Sequence, residues 1–379
     1  MPRSLLITCI VTAVVGVLCA SANAQVAAGT YYLYNRNSGL ALDASGAAVA
    51  NGTPLIQWPY NGGADNQRWN VLPLGNGQFR VTGVASGRSI DISGGSTANG
   101  ATALLWDVTG ANNQIVTLQD RGVGFFSLVF LHSGRALNVF GASIANGAQI
   151  IQWNNDGGLN SQWRFQNVNV AANPQSGSGW YDKFRGNVNA TRGKSFNLIF
   201  DGDSITDFYM STGLNVWNAN YASKGGIDFG ISGDRTENLR WRMLQGESDG
   251  INPKLVVLMI GTNNTDVDDA GTIATKITAI VNDYLVHCPQ AHILLLGVFP
   301  RGQAANTPIR AKIIDINNRI SPLNGAGGGR VIFRDIGAKF LQPDGTLSPS
   351  IMPDFLHPSA AGYQIWADNI RSDVDRFVP

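Results

Sequence analysis

The sequence predicts a multidomain protein in which an all-β N-terminal unit precedes an α/β domain built on a parallel sheet. Self-similar segments occur three times between residues 36 and 165, each with short strands of alternating apolar residues joined by Gly and Asn turns. After residue 182, continuous apolar runs alternate with segments of helical periodicity, which is typical of a parallel sheet. The length of 379 residues also favours two domains.

The first 24 residues have the pattern of a secretory signal peptide. Arg3 precedes an apolar stretch over residues 5–20, and Ala22-Asn23-Ala24 supplies the small residues of a cleavage site. The stretch is shorter than the ~20 apolar residues needed to span a bilayer. We therefore expect cleavage after Ala24 and a secreted, extracellular protein without a membrane anchor.

The composition excludes several classes of partner. Cleavage would leave 26 of the 27 Lys and Arg residues against 26 Asp and Glu, which predicts no nucleic-acid or anionic-membrane binding. Of the three cysteines only Cys288 would remain, so no intrachain disulfide could form. We interpret Cys288 as a packed or surface thiol and not as a nucleophile. No His, Cys or carboxylate group has metal-ligand spacing, and we expect a monomer without metal or cofactor.

The N-terminal repeats align in register. Their Ser-Gly pairs contain Gly39, Gly87 and Gly134, which lie 48 and 47 residues apart. An Ala-Asn-Gly turn follows in each copy, and a tryptophan follows that turn. These tryptophans are Trp58, Trp106 and Trp153. The repeat predicts a closed all-β unit in which no copy buries its apolar face alone.

Residues 25–170 resemble a ricin-B-type lectin, which implies a β-trefoil with one potential sugar site in each repeat. The signature Gln-x-Trp is complete only at Gln67-Arg68-Trp69; the other copies have Gln114-Ile115-Val116 and Ser161-Gln162-Trp163. Sugar recognition uses an aromatic face for the apolar side of the ring and carboxylate or amide groups for its hydroxyls. The candidate carbohydrate-binding residues are Asp43, Trp58, Asn66, Gln67, Asp91, Trp106, Asn138 and Trp153.

Other positions of the repeats are expected to be structural. Trp69, Val116 and Trp163, at the last position of the signature, are expected in the trefoil core. For the three tryptophans that follow the Ala-Asn-Gly turns, core and ligand-facing positions both stay open.

The rest of the chain is divided into a linker and a second domain. Residues 171–182 carry Pro, Gly and Ser and are predicted to form a linker that permits some reorientation of the domains. Residues 183–379 are predicted to form the α/β domain. Its strands are expected at 196–200, 227–231, 255–260, 292–297 and 331–333, and helices at 271–286, around 309–320 and at 360–377.

Two short motifs in this domain supply the groups of a serine hydrolase. Ser204 follows an apolar strand through Gly202-Asp203, and His357 lies in a turn three residues after Asp354. Serine becomes a nucleophile when a base takes its proton, and the imidazole needs an acid that fixes its tautomer. Taken alone, Ser204 could also be a capping serine, and Asp354-x-x-His357 a helix entry.

Two further strand ends supply hydrogen-bond donors. Gly233 follows the strand at 227–231 and lets backbone N–H groups approach a ligand closely. Asn263 follows the strand at 255–260, and its side-chain amide can donate to an oxyanion. Because ligands bind at the carboxyl edge of such sheets, both are expected near Ser204.

Together these segments resemble the four blocks of an SGNH (GDSL-type) hydrolase. They read Gly-Asp-Ser-Ile-Thr at 202–206, Ile-Ser-Gly-Asp at 231–234, Gly-Thr-Asn-Asn at 261–264 and Asp-x-x-His at 354–357. Within the family, three segments are most similar to the catalytic subunits of platelet-activating-factor acetylhydrolase and their bacterial relatives. These segments are Gly-Asp-x-Thr at 233–236, Gly-Thr-Asn-Asn at 261–264 and Val-Phe-Pro-Arg-Gly at 298–302. The first block has Ser-Ile instead of Ser-Leu, and Thr206 replaces the last glycine of the α/β-hydrolase elbow, which disfavours that superfamily.

This resemblance implies a flavodoxin-like parallel sheet and a role for each motif residue. Ser204 would be the nucleophile, His357 the base and Asp354 its orienting acid. The oxyanion hole would consist of the Ser204 N–H, the Gly233 N–H and the Asn263 side chain.

The two resemblances together predict a secreted carbohydrate esterase. The trefoil would hold the enzyme on an acetylated polysaccharide or oligosaccharide, while the second domain removes acetyl or other short acyl groups. Acetylated xylan is the leading substrate. Two alternatives stay open: a short-chain lipid or phospholipid acylesterase, and a sugar-binding lectin with an inactive hydrolase domain.

Overall fold

The computed structural model describes residues 26–379, and the predicted signal peptide lies outside them. The N-terminal unit consists of twelve strands. They are β1 (Gly29–Asn35), β2 (Ala41–Ala44), β3 (Leu55–Trp58), β4 (Trp69–Gly75), β5 (Gln78–Gly83), β6 (Ser89–Ile92), β7 (Ala103–Trp106), β8 (Val116–Asp120), β9 (Phe125–Phe130), β10 (Ala136–Val139), β11 (Ile150–Trp153) and β12 (Trp163–Asn167).

Six of these strands close into a barrel, and the other six cap it as hairpins. The antiparallel ring runs β1, β4, β5, β8, β9, β12 and back to β1. The hairpins β2–β3, β6–β7 and β10–β11 contribute one cap from each repeat. Closure pairs strands that would otherwise leave exposed edges, which explains why three copies are needed. This architecture confirms the predicted β-trefoil.

The last position of each lectin signature lies in the trefoil core, as expected. Trp69 and Trp163 are fully buried, and their indole N–H groups donate to the carbonyl oxygens of Leu42 and Leu137, each at 3.0 Å. Val116 is also buried at the corresponding position of the second repeat. Two of the three equivalent positions therefore combine apolar packing with a satisfied indole donor.

The second domain is a parallel sheet covered by helices. Its strands are β13 (Leu198–Gly202), β14 (Gly226–Asp228), β15 (Leu255–Met259), β16 (His292–Leu296) and β17 (Val331–Arg334). Its helices are α1 (Ser178–Thr191), α2 (Ser204–Asp207), α3 (Leu214–Asn220), α4 (Thr236–Leu244), α5 (Ala270–His287), α6 (Pro308–Ile320), α7 (Ala326–Gly329) and α8 (Ala360–Phe377). Among the helices of residues 26–379, none has the length and apolarity required to cross a bilayer.

The strand order β14-β13-β15-β16-β17 confirms the flavodoxin-like sheet. Alternate residues of each strand face opposite helical layers. Phe200 packs in a cluster with residues of α3 and α8, whereas Ile199 packs with residues of α4, α5 and α6. Because helices cover both faces of the sheet, the residues on both sides of each strand are apolar. The strands are therefore nearly continuous apolar runs in the sequence.

The strand before Ser204 extends further than predicted. Asp201 and Gly202, expected in the turn, pair with Leu258 and Met259 of β15 and therefore belong to β13. β14, in contrast, ends at Asp228, before the predicted boundary. Beyond the end of β14, Gly230 lies so close to α2 that a Cβ would be 2.3 Å from the Asp207 nitrogen, so this position requires glycine.

The segment predicted as a linker, residues 171–182, contains the start of a helix. Helix α1 begins at Ser178, inside the predicted linker. One buried cluster joins Tyr34 and Leu40 of the trefoil to Trp180 of α1 and Trp241 of α4. The segment between the domains is therefore anchored by buried aromatic side chains, which its Gly and Ser content does not reveal.

Candidate active site

Ser204, His357 and Asp354 form one chain of hydrogen bonds. The Oγ of Ser204 lies 2.8 Å from Nε2 of His357, and Nδ1 of His357 lies 2.6 Å from Oδ2 of Asp354. These distances suit proton transfer from the serine to the imidazole and orientation of the imidazole by the carboxylate. The structure thus brings together the three residues predicted as nucleophile, base and acid.

Ser204 is held at the carboxyl edge of the sheet by its neighbours. It opens α2, and the Asp203 carboxylate caps this turn by accepting a hydrogen bond from the Ile205 N–H at 3.0 Å. Gly202 permits the tight connection, since a Cβ there would lie 2.2 Å from Oγ1 of Thr206. The geometry therefore requires glycine immediately before Asp203-Ser204.

The loop that carries Asp354 and His357 is stabilised by hydrogen bonds within the loop. Oδ1 of Asp354 accepts hydrogen bonds from the N–H groups of Leu356 and His357, at 3.0 and 2.8 Å. Phe355, directly after Asp354, has φ of +59°, a left-handed conformation that is costly for a residue with a Cβ. Partial burial acts to raise the pKa of Asp354, but the hydrogen bonds from His357 and Leu356 outweigh it and lower the pKa.

The predicted oxyanion donors lie on the loops that follow the two strands beside β13. Gly233 has φ of +82°. The Asn263 side chain donates from Nδ2 to the carbonyl oxygen of the adjacent Asp234 at 2.9 Å. Ser232 is tied to α2, because its N–H and Oγ donate to Oδ2 of Asp207 at 3.1 and 2.6 Å. The glycine and asparagine loops are thereby joined to each other and to the helix that begins at Ser204.

The three repeat tryptophans are exposed. Trp58, Trp106 and Trp153 have exposed fractions of 42%, 43% and 39%, so the core interpretation is wrong for them. Trp106 and Asp91 line a cavity of about 390 Å³ with Asn113. Trp153 lines a second cavity, of about 270 Å³. The aromatic faces are placed where they can contact a ligand.

In the first repeat, the structure corrects the prediction for Gln67. Its side chain is fully buried and donates to Oδ2 of Asp43 at 2.8 Å and to the carbonyl of Pro59 at 2.9 Å, while its oxygen accepts from the Asn61 N–H. Gln67 therefore braces Asp43 from inside and is not a sugar contact. Asn66 is nearer the surface and donates to the same Asp43 oxygen at 2.9 Å.

Four residues of the other two sites were missed from the sequence. Asn113 and Asn160 follow Asn66 at intervals of 47 residues and donate to Asp91 and Asn138 at 3.0 and 2.8 Å, so alignment of the repeats would have found them. Phe140 and Asp156 line the second cavity, that of the third repeat, with Asn138 and Trp153, and no repeat pattern marks either residue. Asp156 supplies a carboxylate in the repeat whose usual acid is replaced by Asn138.

Comparison with known proteins agrees with this geometry. The family model for the GDSL-like Lipase/Acylhydrolase family matches residues 200–365. Platelet-activating factor acetylhydrolase IB subunit alpha1 of Homo sapiens is 35% identical over 173 residues, which cover 46% of this chain and 73% of the relative. This chain belongs to the GDSL-like acylhydrolase family.

Other similarities cover both halves of this GDSL-like acylhydrolase. The alpha2 subunit of the same acetylhydrolase from Rattus norvegicus is 32% identical over 194 residues, covering 51% of this chain and 82% of the relative. The model for ricin-type beta-trefoil lectin domain-like proteins matches residues 20–106 and 111–181. The crystal structure of ThreeFoil, a designed three-fold symmetric protein, is 41% identical, with a TM-score of 0.36 and coverage of 37% of this chain and 99% of that one.

A fully buried arginine connects the serine and glycine blocks of the GDSL-like domain. Arg242 donates from Nη2 to Oδ1 of Asp201 at 2.9 Å and from Nε to Oδ2 of Asp234 at 2.7 Å, and it also contacts Glu247. Asp201 lies in β13 before Gly202, and Asp234 directly follows Gly233. Burial acts to lower the pKa of Arg242, but the carboxyl groups raise it overall. No sequence motif marks Arg242, whose partners Asp201, Asp234 and Glu247 lie 41, 8 and 5 residues away in the chain.

The thiol of the GDSL-like domain lies outside this site. Cys288 is buried in the cluster formed with α5 and β16, which confirms the packed interpretation. Burial raises the pKa of Cys288 to about 11. Because the thiolate is the nucleophilic form, this residue is unreactive near neutral pH.

Substitution of Asn263 tests its assignment as an oxyanion donor. We expect Asn263→Ala to lower kcat for p-nitrophenyl acetate by about 10²- to 10³-fold, with a much smaller change in KM, because the lost donor acts on charge that develops in the transition state. Steady-state kinetics measure both constants. Asn318→Ala, on the exposed side of α6, is the matched control. A kcat as high in Asn263→Ala as in the control would contradict the assignment.

Proposed function

We propose that this protein is a secreted carbohydrate esterase that removes acetyl groups from polysaccharide, with acetylated xylan as the leading substrate. The observation that carries the proposal is the presence, in one chain, of the Ser204–His357–Asp354 hydrogen-bond chain and a trefoil with three exposed tryptophans. The first fits hydrolysis of an ester, and the second fits retention on a sugar polymer, which raises the local concentration of the esters it carries.

The reaction follows from the positions of the three side chains. Oγ of Ser204 attacks the acetyl carbonyl while Nε2 of His357 accepts its proton, and Asp354 stabilises the imidazolium that forms. The carbonyl oxygen becomes an oxyanion that the donors at Ser204, Gly233 and Asn263 stabilise. Collapse expels the sugar alkoxide, which takes the proton from His357. Water, deprotonated by His357, then attacks the acetyl ester of Ser204. Collapse breaks the bond between the acyl carbon and Oγ, which takes the proton back from His357, and acetic acid leaves.

The acyl group is expected to be short, because the relatives are named acetylhydrolases.

We expect kcat/KM for p-nitrophenyl acetate to exceed that for p-nitrophenyl octanoate by at least about tenfold, equivalent to about 1.4 kcal/mol in transition-state stabilisation. The initial rates of p-nitrophenol release at several ester concentrations measure this ratio. The Ser204→Ala variant gives the background for each ester. Preference for octanoate would contradict the acetyl specificity and favour a lipase.

A phospholipid acetylesterase is the second candidate, favoured by the names of the relatives, which are platelet-activating factor acetylhydrolase subunits. It shares the catalytic steps but leaves the trefoil tryptophans without a role. Acetate release from platelet-activating factor and from acetylated xylan, compared at equal concentrations of acetyl ester, separates the two. A higher rate on the phospholipid would favour this second function.

The trefoil should bind the polysaccharide through its exposed tryptophans. We expect the triple variant Trp58→Ala, Trp106→Ala, Trp153→Ala to lose at least about tenfold in affinity for insoluble xylan, since each aromatic face contributes about 0.5–1.5 kcal/mol. Depletion of protein from solution by increasing amounts of xylan measures the affinity. Leu72→Ala removes an apolar side chain of similar exposure outside the three sites and is the control. Equal affinity of the two proteins would contradict this role.

A further inference from the structure

The segment between the two domains contacts the loop that carries Gly233. Nε2 of Gln175 donates to Oδ1 of Asp234 at 2.8 Å, and Nε1 of Trp180 donates to the same oxygen at 2.6 Å. The other carboxylate oxygen accepts from Arg242 at 2.7 Å. Asp234 is fully buried, so its orientation depends on these three donors.

Asp234 in turn orients both predicted side donors of the oxyanion hole. It directly follows Gly233, and its carbonyl oxygen holds the Asn263 amide at 2.9 Å. The Gln175 side chain also lies against Gly233. A change in the position of Asp234 would therefore move the Gly233 peptide and the Asn263 amide together.

The trefoil holds this segment from the other side. Tyr34 of β1 packs on Trp241 at a centroid distance of 5.2 Å, and Trp241 packs on Trp180 at 5.4 Å. The hydroxyl of Tyr181 accepts a hydrogen bond from the Tyr60 N–H at 3.2 Å, and Arg185 donates to the Ser38 carbonyl at 2.9 Å. Helix α1 is therefore bonded to the trefoil at several points.

The segment is also attached to α4, next to the oxyanion loop. The Asn173 N–H donates to the Glu237 carbonyl at 3.1 Å, and the Asn173 carbonyl accepts from Nδ2 of Asn238 at 2.8 Å. Gln175 thus lies between two anchored points, Asn173 and Trp180. Because the backbone on both sides of Gln175 is fixed, ordering its side chain costs little additional conformational entropy. A residue that positions a catalytic group needs such a fixed side chain.

We propose that Gln175 and Trp180 are positioning residues of the oxyanion hole and that the trefoil holds them in place, so that the lectin domain is a structural part of the catalytic site. This inference rests on the proposed esterase function. It distinguishes the protein from an enzyme with a sugar-binding module on a free tether, for which the trefoil would affect substrate retention alone.

Two substitutions in the full-length chain test the proposal. Gln175→Met removes the donor to Asp234 and keeps a side chain of similar length and shape. Trp180→Phe removes the indole N–H and keeps a smaller aromatic ring in the buried cluster. We expect each to lower kcat by about tenfold, part of the effect of losing a whole oxyanion donor, with KM changed less than about twofold. Kinetics on p-nitrophenyl acetate and on acetylated xylo-oligosaccharide should show the same fold loss, because the affected group acts on the carbonyl oxygen shared by both substrates.

The matched control is Ser176→Ala, an exposed position of the same segment. Equal kcat for Gln175→Met, Trp180→Phe and Ser176→Ala would overturn the proposal. A loss confined to the oligosaccharide would also overturn it, since it would make Gln175 a substrate contact. Ester hydrolysis by the unmodified protein, and its loss in Ser204→Ala, tests the esterase function itself. Failure of that function is therefore distinguished from failure of this proposal.

Discussion

Replacement of Ser204 by alanine is expected to lower kcat/KM for acetyl esters by at least about 10⁴-fold. The reason is that Oγ forms the bond to the acyl carbon, and the other groups of a triad contribute little once the nucleophile is absent. The 2.8 Å contact with Nε2 of His357 shows that the base is already placed to take the proton. Hydrolysis of p-nitrophenyl acetate measures the loss.

Ser211→Ala is the matched control for this substitution, because Ser211 is an exposed serine near α2 whose Oγ bonds only locally to the Phe208 carbonyl. Labelling by a fluorophosphonate gives a second measurement. We expect the unmodified protein and Ser211→Ala to be labelled and Ser204→Ala to remain unlabelled. Equal labelling of all three would place the reactive serine elsewhere.

Replacement of Arg242 by methionine is expected to give the largest loss of stability, about 3–5 kcal/mol in the free energy of unfolding. The substitution leaves Asp201, Asp234 and Glu247 buried without their cationic partner. Urea titration followed by tryptophan fluorescence measures the free energy.

Arg334→Met is the matched control, since Arg334 also forms a bidentate pair, with Asp373, but its side chain is 46% exposed. There we expect a loss of about 1 kcal/mol or less, because solvent screens an exposed pair. A loss in Arg242→Met no greater than in Arg334→Met would contradict the structural role given to the buried arginine.

Features that depend on local sequence were predictable. The final helix was expected at 360–377 and is observed over Ala360–Phe377, since its apolar periodicity and the capping Ser359 lie within one segment. The trefoil followed from the repeat, because three equivalent copies can bury their apolar faces only together. The placement of Ser204, Gly233 and Asn263 after three neighbouring strands followed from the apolar runs that precede them, since parallel strands bring their carboxyl ends to one edge.

Features that depend on contacts between distant residues were not predictable. Gln175 and Trp180 lie in a Gly- and Ser-bearing segment, and their partner Asp234 is 59 and 54 residues away. Gln67 belongs to the lectin signature, so its sequence context favoured a sugar contact, although its polar atoms bond inside the trefoil. For all three residues, the hydrogen-bond partners of the side chain decide its role. The periodicity of the sequence carries no information about these partners.

The most direct test of the proposed function is the release of acetate from acetylated xylan, followed by proton NMR with the purified full-length protein. We predict that the acetate signal grows at the expense of the xylan acetyl signals and that Ser204→Ala abolishes this growth. An acetate signal that does not grow with the unmodified protein, or that grows equally with Ser204→Ala, would contradict the proposal that this site deacetylates polysaccharide.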